Sequence, residues 1–193
     1  IIAKVESVQN THGFAKAGVM IRDTLEANSR NVALLITPEN GVRFQYRNRT
    51  DSSTDRSFVE GITAPYWVRL ERSTGGLVRA FYSADGTTWT QFNLMQIAMD
   101  MPAYIGLAVT SHNPDLTCEA KFSNVSFGNT SVGPQWTDQD IGMMSNKAEP
   151  MYVILNGSAV VYHENPGATQ IDTWTEWNIN LQSFADKGAN LAN

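Results

Sequence analysis

The chain has 193 residues, a formal net charge of −5 and 17% charged residues, enough length for one large sandwich or for a domain with a smaller companion. Sparse charge with abundant Ser, Thr, Asn and Gly favours short strands and polar turns over long helices. No run approaches the roughly 20 apolar residues of a membrane-spanning helix, the charge balance lacks the basic surface of a nucleic-acid binder, and a single cysteine excludes an intrachain disulfide framework or a Cys-cluster zinc site.

Charge is unevenly divided. Residues 1–133 hold 12 Lys+Arg against 12 Asp+Glu, a net of zero, while residues 134–193 hold 2 against 7, a net of −5. All nine arginines fall between Arg22 and Arg79. The sequence opens directly on a strand-like run, without an initiator Met or signal peptide, and breaks off at Asn193. Both ends read as those of a processed or partial chain.

Residues 1–8 alternate as a strand, and Asn10-Thr11-His12-Gly13 supplies a turn. A second strand is predicted over 15–23, with Ala17, Val19 and Ile21 on one face and Met20 and Arg22 on the other. A loop at 26–29 leads to a strand at 31–37. Pro38-Glu39-Asn40-Gly41 then has hairpin chemistry, since proline presets φ and Asn-Gly accepts positive φ. The return strand, 42–49, sets Val42, Phe44 and Tyr46 against Arg43, Gln45 and Arg47. A polar loop over 48–57 precedes a short strand at 58–62.

The strongest pattern follows at 66–92. In its first limb Val68 and Leu70 alternate with Trp67, Arg69 and Glu71. In its second, Val78, Ala80 and Tyr82 alternate with Leu77, Arg79 and Phe81. A tight turn at Asp85-Gly86 leads on to a run at 88–92, and a Met-rich connection (Met95, Met99, Met101) leads to 103–111. That segment is apolar on both faces, which predicts a central strand. Residues 117–127 close the region, with Cys118 expected as a small core residue. About ten strands, turn chemistry between them and no convincing helix specify an all-β, antiparallel two-sheet β-sandwich of jelly-roll type. The predicted organisation is a sandwich over 1–128, a linker at 129–133 and a partial second β-sandwich over 134–193. The second part has a hairpin across Gly157-Ser158, a strand at 174–181 and one helical turn near 183–187.

The run Ala17-Gly18-Val19-Met20-Ile21-Arg22, the turn and strand Gly41-Val42-Arg43-Phe44-Gln45-Tyr46-Arg47, and the pair Trp67-Val68-Arg69-Leu70-Glu71-Arg72 with 81–89 occur in a characteristic order. With 105–112 and 122–125, they resemble the concanavalin A-like, laminin-G-like sandwich domains of secreted bacterial multidomain proteins. The resemblance covers residues 1–127. Such domains carry further strands before 1–8. Residues 134–193, through Gln139-Asp140-Ile141-Gly142, 149–153 and Trp174-Thr175-Glu176-Trp177, are similar to galactose-binding-like, carbohydrate-binding modules, of which only the first part is present. The resemblance implies an extracellular adhesion or polysaccharide-recognition role.

Two readings of the residues facing away from the core stay open. Trp67, Arg69, Arg79 and Phe81 point outward, and by the same alternation Arg43, Gln45 and Arg47 are candidates for that surface, with Arg22 beside them. Aromatic rings with Arg and Gln donors match the apolar face and hydroxyl rim of a sugar, and Arg holds a carboxylate or sulfate bidentately. Alternatively Arg69, Glu71 and Arg79 form a cross-strand charge ladder covered by Trp67 and Phe81. Asp85 and Trp89 are assigned to their turn. Sandwich glycosidases place paired carboxylates on one face, and no strand here does so. Glu71 stands among arginines, so an enzyme is not expected. His12, His112 and His163 lack metal or triad spacing, and no cofactor is implied. Calcium is the exception, with Asp51, Asp55 and Asp115 in oxygen-rich loops as its candidates. Four Asn-x-Ser/Thr sequons (Asn48, Asn124, Asn129, Asn156) are unremarkable in this composition. The expected function is non-catalytic extracellular carbohydrate binding or adhesion with a glycan partner. The alternative is an assembly subunit whose bare edge, next to residues 1–8, pairs with a strand of another chain.

Overall fold

The computed structural model describes residues 1–100, 102–128, 130–131, 136–141, 151–165, 168 and 176–190. They fall in two units, Ile1–Gly142 and Met143–Asn193. The first is an antiparallel β-sandwich. One sheet contains β1 (Ile2–Val8), β6 (Tyr66–Arg72), β7 (Leu77–Ser83), β8 (Thr90–Gln96), β10 (Ala120–Phe127) and β11 (Thr130–Ser131), in the order β11-β10-β1-β6-β7-β8. The other contains β2 (Lys16–Arg22), β3 (Asn31–Ile36), β4 (Val42–Arg47), β5 (Asp55–Val59) and β9 (Tyr104–Thr110), in the order β5-β4-β3-β2-β9.

The alternation in sequence becomes the division between core and surface. Ala17, Val19 and Ile21 of β2, Val32, Leu34 and Ile36 of β3, and Val42 and Phe44 of β4 line one inner face. Ala3, Val5, Val68, Leu70, Val78 and Ala80 line the facing one. Phe44 is fully buried and meets Phe92 edge-on at 6.2 Å, and Phe92 meets Tyr82 at 5.8 Å. These rings tie β4 to the far sheet by aromatic contacts that add to area burial. Met99, from the connection after β8, also enters the core, whereas Met101 lies outside the described residues.

Several elements depart from the pattern-based expectation. Residues 104–110, apolar on both faces, form the edge strand β9 and not a central one. Its core-side residues Ile105 and Val109 stay 38% and 46% exposed, because no strand beyond β9 covers the seam among the described residues. Strand β1 has the reverse fate. It lies between β10 and β6, so the edge expected to be bare beside residues 1–8 is paired on both sides. β5 begins at Asp55, earlier than the apolar signal at Phe58, because it follows the ladder of β4. Thr130 and Ser131, inside the expected linker, pair with Phe127 and Ser126. Cys118 is half-buried in the loop before β10, its thiol against the Gln9 carbonyl, and not in the core.

In the second unit, β12 (Tyr152–Leu155) and β13 (Ala159–Tyr162) make the expected hairpin, and α1 (Gln182–Ala185) is the expected helical turn. Ala159, Phe184 and Ala189 form a small core with Leu155, Val161 and Ile179. The strand expected over 174–181 is not seen at 176–180, which is irregular, while 174 and 175 lie outside the described residues. Ile179 is used instead as a single packing contact against that core.

Candidate functional site

The two sheets present two outer faces, and the candidate residues divide between them. Trp67, Arg69, Arg79 and Phe81 lie on the six-stranded sheet, in register as Arg69 opposite Phe81 and Glu71 opposite Arg79. Arg43, Gln45 and Arg47 lie on β4 of the five-stranded sheet. A common surface for all seven is therefore excluded, since the two sheets turn their outer faces in opposite directions.

On the six-stranded sheet the aromatic and cationic groups are occupied with one another. The Arg69 guanidinium lies 4.1 Å from the Phe81 ring centroid and 4.5 Å from that of Trp89. Its Nε is 3.4 Å from a Glu71 carboxylate oxygen, an ion-pair contact without a hydrogen bond. Trp67 lies on the turn that follows β7: a Cβ on Gly86 would stand 2.6 Å from the indole, and Gly86 has φ +75°. The turn itself is held by Asp85 Oδ1, which accepts from the backbone N–H of Thr87 at 2.8 Å and of Thr88 at 2.7 Å. Those two bonds, then the Ser83 hydroxyl, hold the Asp85 carboxyl far below the usual carboxylate range. Asp85 and Trp89 thus act in the turn and its packing, as their spacing suggested.

The outer face of the five-stranded sheet is built differently. Its register rows run Ala108–Gly18–Leu35–Arg43–Phe58 and Gly106–Met20–Ala33–Gln45–Arg56, followed by Tyr104–Arg22–Asn31–Arg47. Small residues in the middle strands let long side chains from neighbouring strands lie across them. Gly18 is the tightest point, where an added Cβ would come 2.1 Å from the Leu34 carbonyl oxygen. The stems of Lys16, Arg22 and Arg43 are consequently buried although the sheet face points away from the core. Lys16, Arg22, Arg43, Arg47 and Arg56 give this face its charge, and no Asp or Glu stands in its rows.

The cations meet this absence of carboxylates in two ways. At one end, Arg22 donates from Nε to the Thr24 carbonyl and from a terminal nitrogen to the Glu26 carbonyl. Arg47 donates to the carbonyls of Ala27 and Ser29 and to the Thr54 hydroxyl. Burial, and then repulsion from Arg47, lowers the Arg22 pKa. At the other end, Lys16 Nζ donates to the Phe14 carbonyl at 2.7 Å and stands 3.4 Å from His112 Nδ1. Burial, and then repulsion from Arg43, pushes the Lys16 ammonium below its ordinary range. Arg43 has only aromatic neighbours for its charge, with Phe14 at 5.2 Å and Phe58 at 4.5 Å from the guanidinium carbon. Its Nε is buried without a hydrogen-bond partner, as are those of Arg47 and Arg69. What distinguishes Arg43 is the lack, among the described residues, of an acceptor or carboxylate beside its charge.

Beside this face runs a groove of about 590 Å³, lined on one side by Met20, Arg22, Tyr104 and Gly106 and on the other by residues 136–141. Tyr104 and Trp136 are 50% and 44% exposed there, so two aromatic surfaces border a groove that also presents Arg22, Gln139, Asp138 and Asp140. The sequence had marked the β4 trio and Arg22. It gave no reason to choose Phe14, Lys16, Phe58, Tyr104 or Trp136, whose proximity depends on strand pairing.

The calcium candidates are not gathered. Asp51 accepts from the Asn28 side-chain amide at 2.8 Å in the loop after β4, whereas Asp115 lies in the loop after β9, at the opposite end of the strands. Among the described residues no three His, Cys, Asp or Glu side chains form a metal-holding group. His12 and His112 meet in a tilted contact at 4.6 Å, and His163 meets Trp177 likewise at 4.7 Å.

No family model matches the chain, and no curated protein matches it. Among solved structures, the chain is similar to a functionally unknown protein from Saccharomyces cerevisiae, at 20% identity and a TM-score of 0.44, over 57% of this chain and 60% of that one. The match thus spans about three fifths of that protein's length.

Proposed function

We propose that this protein is a non-catalytic, extracellular glycan-recognition module that works through the outer face of the five-stranded sheet and its adjoining groove. The observation that carries the reading is the cationic face without a carboxylate, bordered by Tyr104 and Trp136. Planar rings stack on the apolar face of a pyranose, and Arg, Gln and Lys donors answer its rim of oxygens. The outer-face strand rows carry no carboxyl, and the groove adds Asp138 and Asp140 beside the aromatic rings.

Affinity electrophoresis through gels containing neutral or acidic polysaccharides tests the reading. Retention is expected from at least one polymer. It should weaken severalfold in a Tyr104→Ala/Trp136→Ala double variant and persist in Phe81→Ala on the opposite sheet. No retention by any polymer, or equal loss from both variants, rejects it.

A second reading, assembly through strand addition, is favoured by β9. This is an edge strand in the described residues, with Ile105 and Val109 of the strand itself exposed, the arrangement that accepts another strand. A native mass equal to one chain at high concentration, unchanged by Val109→Lys, would remove that reading.

A further inference from the structure

We infer that the glycan bound by this face carries an acidic group, a carboxylate or a sulfate, and that Arg43 with Lys16 holds it at the end of the face where β2 begins. The inference rests on the glycan reading above and adds the chemical class of the ligand.

Arg43 is 7% exposed, and its Nε is buried with no hydrogen-bond partner among the described residues. A buried N–H of a cation left unpaired is unfavourable, and proteins ordinarily pair it. Phe14 approaches from the β2 side and Phe58 from the β5 side, with 5.2 Å and 4.5 Å to the guanidinium carbon. With one ring on the β2 side and the other on the β5 side, the terminal N–H edge is the part left for a ligand. That edge presents parallel donors, and the group it fits is a planar or tetrahedral anion accepting two of them. A neutral hydroxyl would take one bond and leave the charge unanswered.

The neighbouring groups add to the case. Lys16 is 9% exposed, and its Nζ stands 5.9 Å from the same Phe14 ring. Its ammonium uses one carbonyl and the His112 ring nitrogen, with no carboxylate. Glu39, on the adjoining turn, accepts from the Asn10 side-chain amide at 2.7 Å and makes no ion pair with Arg43 or Lys16. Two cations that repel each other have been folded together around one aromatic ring. A bound anion relieves both burial and repulsion.

The experiment uses the full chain in gels containing alginate (carboxylate), dextran sulfate (sulfate), dextran or galactomannan (both neutral). Melting temperatures of all variants establish folding. We expect retention by at least one acidic polymer, and the arm that retains identifies the group. Arg43→Gln should weaken it by about tenfold, the effect of removing a charged hydrogen-bonded partner. Arg43→Lys, which keeps the charge but not the fork, should weaken it less. Arg69→Gln on the other sheet should bind as the parent does, which separates a site from diffuse attraction to a polyanion. Retention by neutral polymers as strong as by acidic ones overturns the inference and leaves the glycan reading standing. So does wild-type retention by folded Arg43→Gln. Retention by no polymer overturns both.

Discussion

Arg69 and Arg43 occupy equivalent-looking positions on opposite faces of one sandwich. Each guanidinium lies near two aromatic rings, Phe81 and Trp89 in one case and Phe14 and Phe58 in the other. Arg69 also has Glu71 at 3.4 Å, whereas Arg43 has no carboxylate partner among the described residues. The same chemical kit thus completes a local structure on the six-stranded sheet and leaves a charge unanswered on the five-stranded one. An aromatic ring beside an arginine is not by itself the mark of a site. What separates scaffold from site here is whether the arrangement satisfies its own charge.

The largest effect is expected at the self-contained end of the comparison. Trp67→Ala removes the indole that lies on Gly86 and opens the turn held by Asp85. We expect a loss of about 2–3 kcal/mol in urea unfolding, less than for a fully buried aromatic because Trp67 is half-buried. Polysaccharide retention should not change. If Trp67→Ala left stability intact but abolished retention, the assignment of the two faces would have to be exchanged.

A smaller but more decisive contrast comes from replacing each arginine with methionine, which keeps length and apolar packing. Arg69→Met loses contacts with two rings and leaves Glu71 without its cation, for an expected loss of about 1 kcal/mol. Arg43→Met removes a buried charge that nothing pairs, so stability should hold or rise by up to about 1 kcal/mol. Thermal unfolding of the two variants side by side reads the difference. Equal losses would mean that Arg43 is as well satisfied as Arg69.

The smallest effect is one of pH. Burial, followed by the nearby Lys16 and then His12, holds the His112 pKa below its ordinary value. The neutral ring is therefore favoured in the folded state. Its contribution to stability is fully present above about pH 6.5, the ordinary histidine value, and is lost as pH falls from there through the folded pKa. Between pH 7.5 and 5.5 the melting temperature should fall by about 1 °C more in the parent than in His112→Asn. Identical slopes would detach His112 from the cationic end of the face.

Much of this was legible in residue order. The alternation of Val68 and Leu70 with Trp67 and Arg69, and of Phe44 with Arg43 and Gln45, assigned each side chain to the inner or outer face of its sheet, because a strand repeats every two residues. Asp85-Gly86 and the turn at Gly41 were equally readable, since their backbone demands few residue types. Strand β9 was misjudged for an instructive reason. Gly106 and Ala108 look like the apolar content of a central strand, but they are the small residues over which an outer face is carpeted. Apolar composition does not distinguish a strand buried on both sides from an edge strand with small outward residues.

The sequence by itself determined an antiparallel all-β sandwich, the inward set of side chains, the principal turns and a surplus of arginine in the first unit. It left open which outward residues are neighbours, because alternation assigns a side and not a sheet. Only the tertiary pairing placed β4 beside β3 and β6 beside β7 in different layers, dividing one imagined platform into two opposite faces. The same pairing brought Phe14 and Lys16, Arg43 and Phe58 together from three separate stretches of chain. Charge satisfaction is a property of such neighbours in space, and for that reason the candidate site became visible only in the folded sandwich.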